Sequence, residues 1–250
     1  MGIIPDKFRR PLNMEAEIPP KVFPPPIFIT GLMRSGTTFL VNKLSEHPQL
    51  LKVGVELNKI WDSIGNAPVH PLRAYNDEQD AGYWAAKNMT YYFTRFIYES
   101  KLPLRTLMRI RSRYQYGIGR VNYDWPNVIP VNKSPHLINK MHYVSTLYPH
   151  SKMILIVRDI YGHSASMKKH FEREHQNKGI WFYYPEDKSN GWRNVKKDEL
   201  KQFREENLFP GNFRLIPAMW LKLNQLGLQE IRQLESHRYL VVKYEDLINH

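Results

Sequence analysis

Short apolar runs of strand length punctuate the chain at Ile27–Thr30 (IFIT), Val128–Val131 (VIPV), Met153–Val157 (MILIV) and Tyr239–Val242 (YLVV). They do not alternate with charged residues, so both faces of each strand are expected to be covered, as in a parallel sheet buried between helices. In TTFLVNKLSEH, Phe39, Leu40 and Leu44 fall on one side at helical spacing. This predicts a helix that opens just after Gly36 and runs to about His47, where Pro48 stops it. The pattern as a whole reads as an α/β chain, with a central parallel sheet flanked by helices in three layers.

Two kinds of segment depart from that rhythm. IPPKVFPPP, Ile18 to Pro26, is too rich in proline to be helical and predicts an extended lead-in over residues 1–26. Residues 61–127 and 171–217 form longer excursions, the first aromatic and basic, the second polar and aromatic. Both read as walls or lids on the substrate side, and Tyr83 to Tyr98 reads equally well as an ordinary amphipathic helix with a packed aromatic face. No internal repeat is present, and 250 residues suit one domain over 1–250.

Composition narrows the chemistry. With 42% hydrophobic and 24% charged residues the chain is globular rather than disordered. No apolar run is long enough to span a bilayer. MGIIPDKFRR has neither the apolar core of a signal peptide nor a Ser or Thr at position 6 for myristoylation. A soluble cytoplasmic protein with no membrane partner is the expectation. The absence of cysteine excludes disulfides and thiolate chemistry, and the ten histidines show no metal-ligand spacing, so no metal is expected. A formal charge of +12 favours an anionic ligand, although a solubilising surface accounts for such a charge equally well.

FITGLMRSGTTFL, Phe28 to Leu40, is the stretch that carries chemistry. Gly31, Gly36 and Thr38 fit the phosphate-loop pattern G-x-x-x-x-G-K-[ST], but Thr37 stands where the lysine belongs. Strand, glycine turn and helix N-terminus come in the order of a P-loop NTPase-like fold. The amides of Ser35, Gly36, Thr37 and Thr38, with the hydroxyls, can hold a phosphate without a lysine. Arg34 sits at the loop's edge, facing whatever group hangs from that phosphate. The competing reading is a glycine turn that only joins strand to helix. Further on, MILIVRDIYGHSASM puts Arg158 at the end of a strand and Ser166 on the next helix. That pair predicts a second anion site on the same edge of the sheet, unless Arg158 merely pairs with Asp159 or caps the helix.

ITGLMRSGTTF, VRDIYGHSAS and YLVVKYEDLI occur in this order over Ile27 to Ile248. In order and spacing they resemble the sulfotransferases that use 3′-phosphoadenosine 5′-phosphosulfate (PAPS). The resemblance implies transfer of a sulfuryl group, in line, from PAPS as co-substrate to a hydroxyl or amine acceptor such as a sugar, phenol or peptide. It also explains the missing lysine, since PAPS has no γ-phosphate. By the same resemblance Arg34 through Thr38 bind the 5′-phosphosulfate, Arg158 and Ser166 bind the 3′-phosphate, and Tyr244 lies near the adenine. The RSGTT form looks more like the protein-tyrosine and bacterial sulfotransferases than the cytosolic branch, which has lysine at the place of Arg34.

Those arginine-type members carry a glutamate in a context like HPQLLKVGVELNKIW, which points to Glu56 as general base. Their NK-x-P pattern is matched by VNKSP, which points to Lys133 as a fixed cation for the developing charge. The cytosolic branch instead uses a histidine, for which KSPH offers His136 one place out of register. Family members also continue beyond the point where YEDLINH ends, so the sequence is expected to be a fragment or a short variant.

A P-loop nucleotide kinase or NTPase is the alternative enzyme class. Thr37, and the lack of a strand ending directly in Asp, count against it. A nucleic-acid-binding module would need a clustered basic stripe, and only RTLMRIRSR approaches one, so no nucleic-acid partner is expected.

Overall fold

Phe28 and Ile29 are neighbours on strand β1 (Ile27–Gly31), yet they enter different cores. Successive side chains on a strand point to opposite faces, so a strand buried on both faces needs helices on both sides. The structure, a computed structural model, describes residues 23–54, 56–63, 65, 83–94, 123, 127–184 and 193–249. Its main sheet joins β1 to β2 (Leu50–Lys52), β3 (Ile129–Lys133), β4 (Lys152–Val157) and the strand Tyr239–Lys243, called β8 for its place in the chain. All pairings are parallel, in the order β2-β3-β1-β4-β8. The expected central parallel sheet flanked by helices, the P-loop NTPase-like arrangement, is the one observed.

On one face lies the larger core. Phe28 meets Trp61, Phe93 and Tyr148 there, at ring-centroid distances of 5.7, 6.2 and 5.5 Å. Five helices pack on this side: α2 (Asn58–Ser63), α3 (Tyr83–Thr94), α4 (Met141–Leu147), α5 (Ile160–Lys178) and α6 (Leu215–Ile231). The opposite face holds a smaller cluster of Ile29, Val131 and Ile156, covered by Leu40 and Val41 of α1 (Thr37–Leu44) and by Leu247 of α7 (Tyr244–Ile248).

Several sequence expectations are corrected. The first helix ends at Leu44 rather than His47; the Ser45 hydroxyl donates to the Val41 carbonyl at 2.6 Å and the chain turns. A helix so short has a narrow inner stripe, formed by Thr37, Leu40 and Val41, and Phe39 lies partly exposed. The run Val128–Val131 forms a strand that starts at Ile129 and continues to Lys133. Tyr239–Lys243 is an edge strand, with Leu240 and Val241 exposed, because no described strand pairs with its outer side.

The excursion 171–217 contains a small antiparallel sheet of β5 (Trp181–Tyr183), β6 (Arg193–Val195) and β7 (Leu208–Phe209), in the order β6-β5-β7. Phe171 stacks on Phe182 at 3.8 Å and fastens this sheet to the main core. Most of 61–127 and of the lead-in 1–26 lies outside the described residues; within them, α3 packs Met89 and Phe93 inward, as an amphipathic helix. Among the described residues no helix is long and apolar enough to cross a membrane.

Candidate functional site

Parallel strands bring their carboxyl ends to one edge of the sheet. The loops after β1 and β4 leave that edge in opposite directions, toward β2 and β8, which makes the crevice between them a topological switch point. Two glycines shape the β1 loop. Gly31 has φ 149°, and a side chain there would run into the Ile156 carbonyl of β4 and the Ser35 hydroxyl. Gly36, at φ 100°, caps α1, and its bare Cα leaves room for the Tyr244 ring. Both sites require glycine for conformation and for close approach.

Inside the loop, Ser35 is buried, and both its N–H (3.1 Å) and its hydroxyl (2.6 Å) donate to the Leu32 carbonyl. Both donors of Ser35 thus close the turn on Leu32 and help to shape the loop. At the helix start, Gly36 supplies no side-chain cap and the first turn holds no acidic residue. Helix geometry leaves the first-turn N–H groups of α1 without intrahelical acceptors, directed outward with the positive end of the helix dipole. Thr37 is buried and Thr38 exposed.

The second candidate site is joined directly to the first. Arg158, just after β4, donates through Nη1 to the Arg34 carbonyl at 3.0 Å, and Arg34 donates through Nε to the Ser166 hydroxyl of α5 at 3.2 Å. The Arg158 guanidinium lies over the Tyr244 ring, 4.6 Å from its centroid. Its Nε is enclosed without an acceptor among the described residues. Asp159, not Arg158, caps α5, accepting from the Gly162 N–H at 2.8 Å. That bond, more than its other contacts, holds the Asp159 carboxyl below the usual carboxylate range. Thus Arg34, Gly36, Arg158, Ser166 and Tyr244 form one group, with Tyr244 wedged between the loop and Arg158.

Lys133 ends β3 beside β1, in register with Ile29. The turn that follows is tied to β1, with the Ser134 N–H donating to the Ile29 carbonyl at 3.0 Å and the Thr30 hydroxyl to the Ser134 carbonyl at 3.1 Å. The Lys133 ammonium, on a side chain only 3% exposed, forms an ion pair with Glu56 Oε1. Glu56 is 39% exposed, and its Oε2 accepts from Asn58 at 3.3 Å.

His136 is not part of this group. Its ring nitrogens are both enclosed with no partner among the described residues, and burial, reinforced by the nearby Lys140 ammonium, pulls the imidazole down to about 3.

Sequence reasoning missed three contributors. Trp220 of α6 donates to the Arg158 carbonyl at 2.9 Å, Glu245 accepts from the Asp159 N–H at 3.2 Å, and buried His163 bonds the Met33 carbonyl at 3.1 Å. Glu245, inside YED, and His163, inside VRDIYGHSAS, both lie in stretches that the sequence singled out, whereas Trp220 does not.

The model of the sulfotransferase family matches residues 25–217. Among solved structures the chain is similar to the sulfotransferase domain from the curacin biosynthetic pathway, with 21% identity, a TM-score of 0.47, and coverage of 91% of this chain and 69% of that one. It is also similar to a sulfotransferase from Alicyclobacillus acidocaldarius, with 14% identity, a TM-score of 0.47 and coverage of 91% and 76%. A third is sulfotransferase STF1 from Mycobacterium tuberculosis H37Rv, with 17% identity, a TM-score of 0.46 and coverage of 92% and 65%. A search of curated proteins finds no match.

Proposed function

The chain belongs to the sulfotransferase family, and from that premise we propose that it takes PAPS as donor and a hydroxylated acceptor. The observation that carries this reading is the direct joint between the two anion-binding candidates: Arg158 on the Arg34 carbonyl, and Arg34 on Ser166. A nucleotide with phosphate at both the 5′ and 3′ positions matches two cationic anchors on one sheet edge better than one with a single polyphosphate chain.

The residues present fit such a ligand. Arg158 Nε is a buried donor with no acceptor among the described residues, and the start of α1 has neither a side-chain cap nor an acidic residue in its first turn. On this reading the α1 amides and Arg34 hold the 5′-phosphosulfate, Arg158 and Ser166 hold the 3′-phosphate, and Tyr244 supports the guanidinium of Arg158. When bound, PAPS supplies an electrophilic sulfuryl group on a phosphate leaving group. Glu56 takes the proton of the acceptor hydroxyl, and Lys133 holds negative charge as it develops at the transfer site. The burial of both His136 nitrogens and the depressed basicity of its ring support Glu56 over His136 as the base.

The deciding experiment is ligand stabilisation. Adenosine 3′,5′-bisphosphate at about a hundred times its dissociation constant should raise stability by roughly 2.7 kcal/mol, read as a rise in melting temperature, with ATP giving much less. Equal shifts with both nucleotides favour a kinase-like site instead. Activity assays with PAPS and a sugar, a phenol or a tyrosine peptide then identify the acceptor.

A further inference from the structure

Resting on that reading of the donor site, we infer that His163 is a positioning residue that sets the backbone of the phosphate loop at Arg34. His163 stands on the first turns of α5, fully buried, with Nε2 3.1 Å from the Met33 carbonyl. Because a carbonyl only accepts, Nε2 carries the proton and Nδ1 is bare. Nδ1 is enclosed with no partner among the described residues, so the ring is buried with one acceptor unmet. A leucine would fill the same space without that cost. What the imidazole adds over an apolar side chain is the bond to Met33.

That bond bears on the most unusual backbone position in the loop. Arg34 is the one non-glycine residue among those described with a positive φ, 68°, a conformation costly to L-residues. Two peptide planes flank its Cα. In the plane before it, the Met33 carbonyl is held by His163; since C=O and N–H point opposite ways across a trans peptide, the Arg34 N–H is turned away from α5. In the plane after it, the Arg34 carbonyl is held by Arg158 at 3.0 Å. With both planes fixed, the strained residue is over-determined. Its side chain then reaches Ser166, three residues along α5 from His163 and on the same helix face.

Burial, the largest influence, with Arg158 adding to it, lowers the His163 imidazole to about 4, although the Met33 carbonyl and Asp159 oppose the shift. The donor tautomer therefore persists through neutral pH, and the residue orients the loop without adding charge to it.

The test combines ring spectroscopy with two variants. In the unmodified protein, ring ¹⁵N shifts of His163 should report a protonated Nε2 and a bare Nδ1 at pH 7. His163→Leu removes the donor and should weaken adenosine 3′,5′-bisphosphate binding, and raise the KM for PAPS, by roughly tenfold to a hundredfold, with kcat at saturating donor much less affected. His163→Gln places an amide N–H where Nε2 stood and should restore affinity to within about threefold, a rescue that packing alone does not give. The Nδ1–H tautomer in the unmodified protein overturns the inference. So does a Leu variant with undiminished affinity, or a Gln variant that melts like the unmodified protein yet binds as weakly as the Leu variant. Failure of the unmodified protein to bind the bisphosphate is a separate result, and it strikes at the donor assignment itself.

Discussion

Lys133 and Glu56, 77 positions apart in sequence, meet as an ion pair in which the lysine is buried and the glutamate is open to solvent. The asymmetry follows from their places. Lys133 ends an interior strand and is enclosed by its neighbours, whereas Glu56 lies beyond the edge strand β2, on the way to α2. A buried ammonium requires a counter-charge. Glu56 provides it through Oε1, while its Oε2 accepts from the Asn58 amide at 3.3 Å.

If Glu56 is the base, Glu56→Gln keeps shape and hydrogen bonding but cannot take a proton. Single-turnover transfer at saturating PAPS should fall by roughly 10²- to 10⁴-fold, with bisphosphate affinity little changed. His136→Ala should be mild by comparison, since its ring nitrogens are closed off. A silent Glu56 variant together with a dead His136 variant would move the chemistry to the histidine.

The same substitution should also cost stability. Glu56→Gln leaves the Lys133 ammonium buried without its counter-charge. Breaking a fully buried pair costs about 3–5 kcal/mol, but the 39% exposure of Glu56 admits water, so about 1–2 kcal/mol is expected. Lys133→Met in the same chain should recover most of that loss in urea unfolding, because the stranded charge is gone. Additive losses in the double variant would show that the two side chains are not coupled.

The sheet and the loop were legible because their signals are local. Glycines at 31 and 36 bracket a strand-to-helix turn whatever the rest of the chain does, and each of the four apolar runs became a strand. The union of Arg34 with Ser166 was not legible, since it spans 132 residues and depends on how α5 packs after β4. His163 lies inside the motif VRDIYGHSAS without a role in it, Trp220 lies in a plain helical stretch, and only the position of the carbonyls they reach gives either one a role. The small sheet was missed for another reason. Its strands are two or three residues long, too short for a period-two pattern to register.

Two buried imidazoles give the fold a pH dependence of definite sign. His136 is lowered to about 3 and His163 to about 4, against about 6.5 in an unfolded chain. Between those values the unfolded chain binds more protons, so their contribution is complete above about pH 6.5 and is lost as pH falls toward 3–4. Glu230, raised by burial, runs the other way, but chiefly in the carboxylate range. From pH 6.5 to 5 each histidine should therefore remove about 1–2 kcal/mol, read from the urea midpoint. His136→Leu should flatten the curve by about half; an unchanged curve would contradict the burial of its ring.

If Arg158 holds the 3′-phosphate of the donor, its substitution separates donor binding from transfer. The 3′-phosphate assigned to it keeps its charge throughout the reaction, so its contacts act equally in ground and transition states. Arg158→Ala should weaken adenosine 3′,5′-bisphosphate roughly tenfold to a hundredfold and raise the KM for PAPS in step, while kcat at saturating donor changes little. Arg158→Lys distinguishes charge from geometry. Lysine keeps the charge but cannot bond the Arg34 carbonyl and lie flat over Tyr244 at once, as the guanidinium does at 3.0 Å and 4.6 Å. The Lys variant should therefore bind nearly as weakly as the Ala variant, as measured by calorimetry. Near-full recovery with Lys would reduce the site to a simple positive charge. A fall in kcat with affinity intact would instead move Arg158 from the 3′-phosphate to the reacting end of the donor.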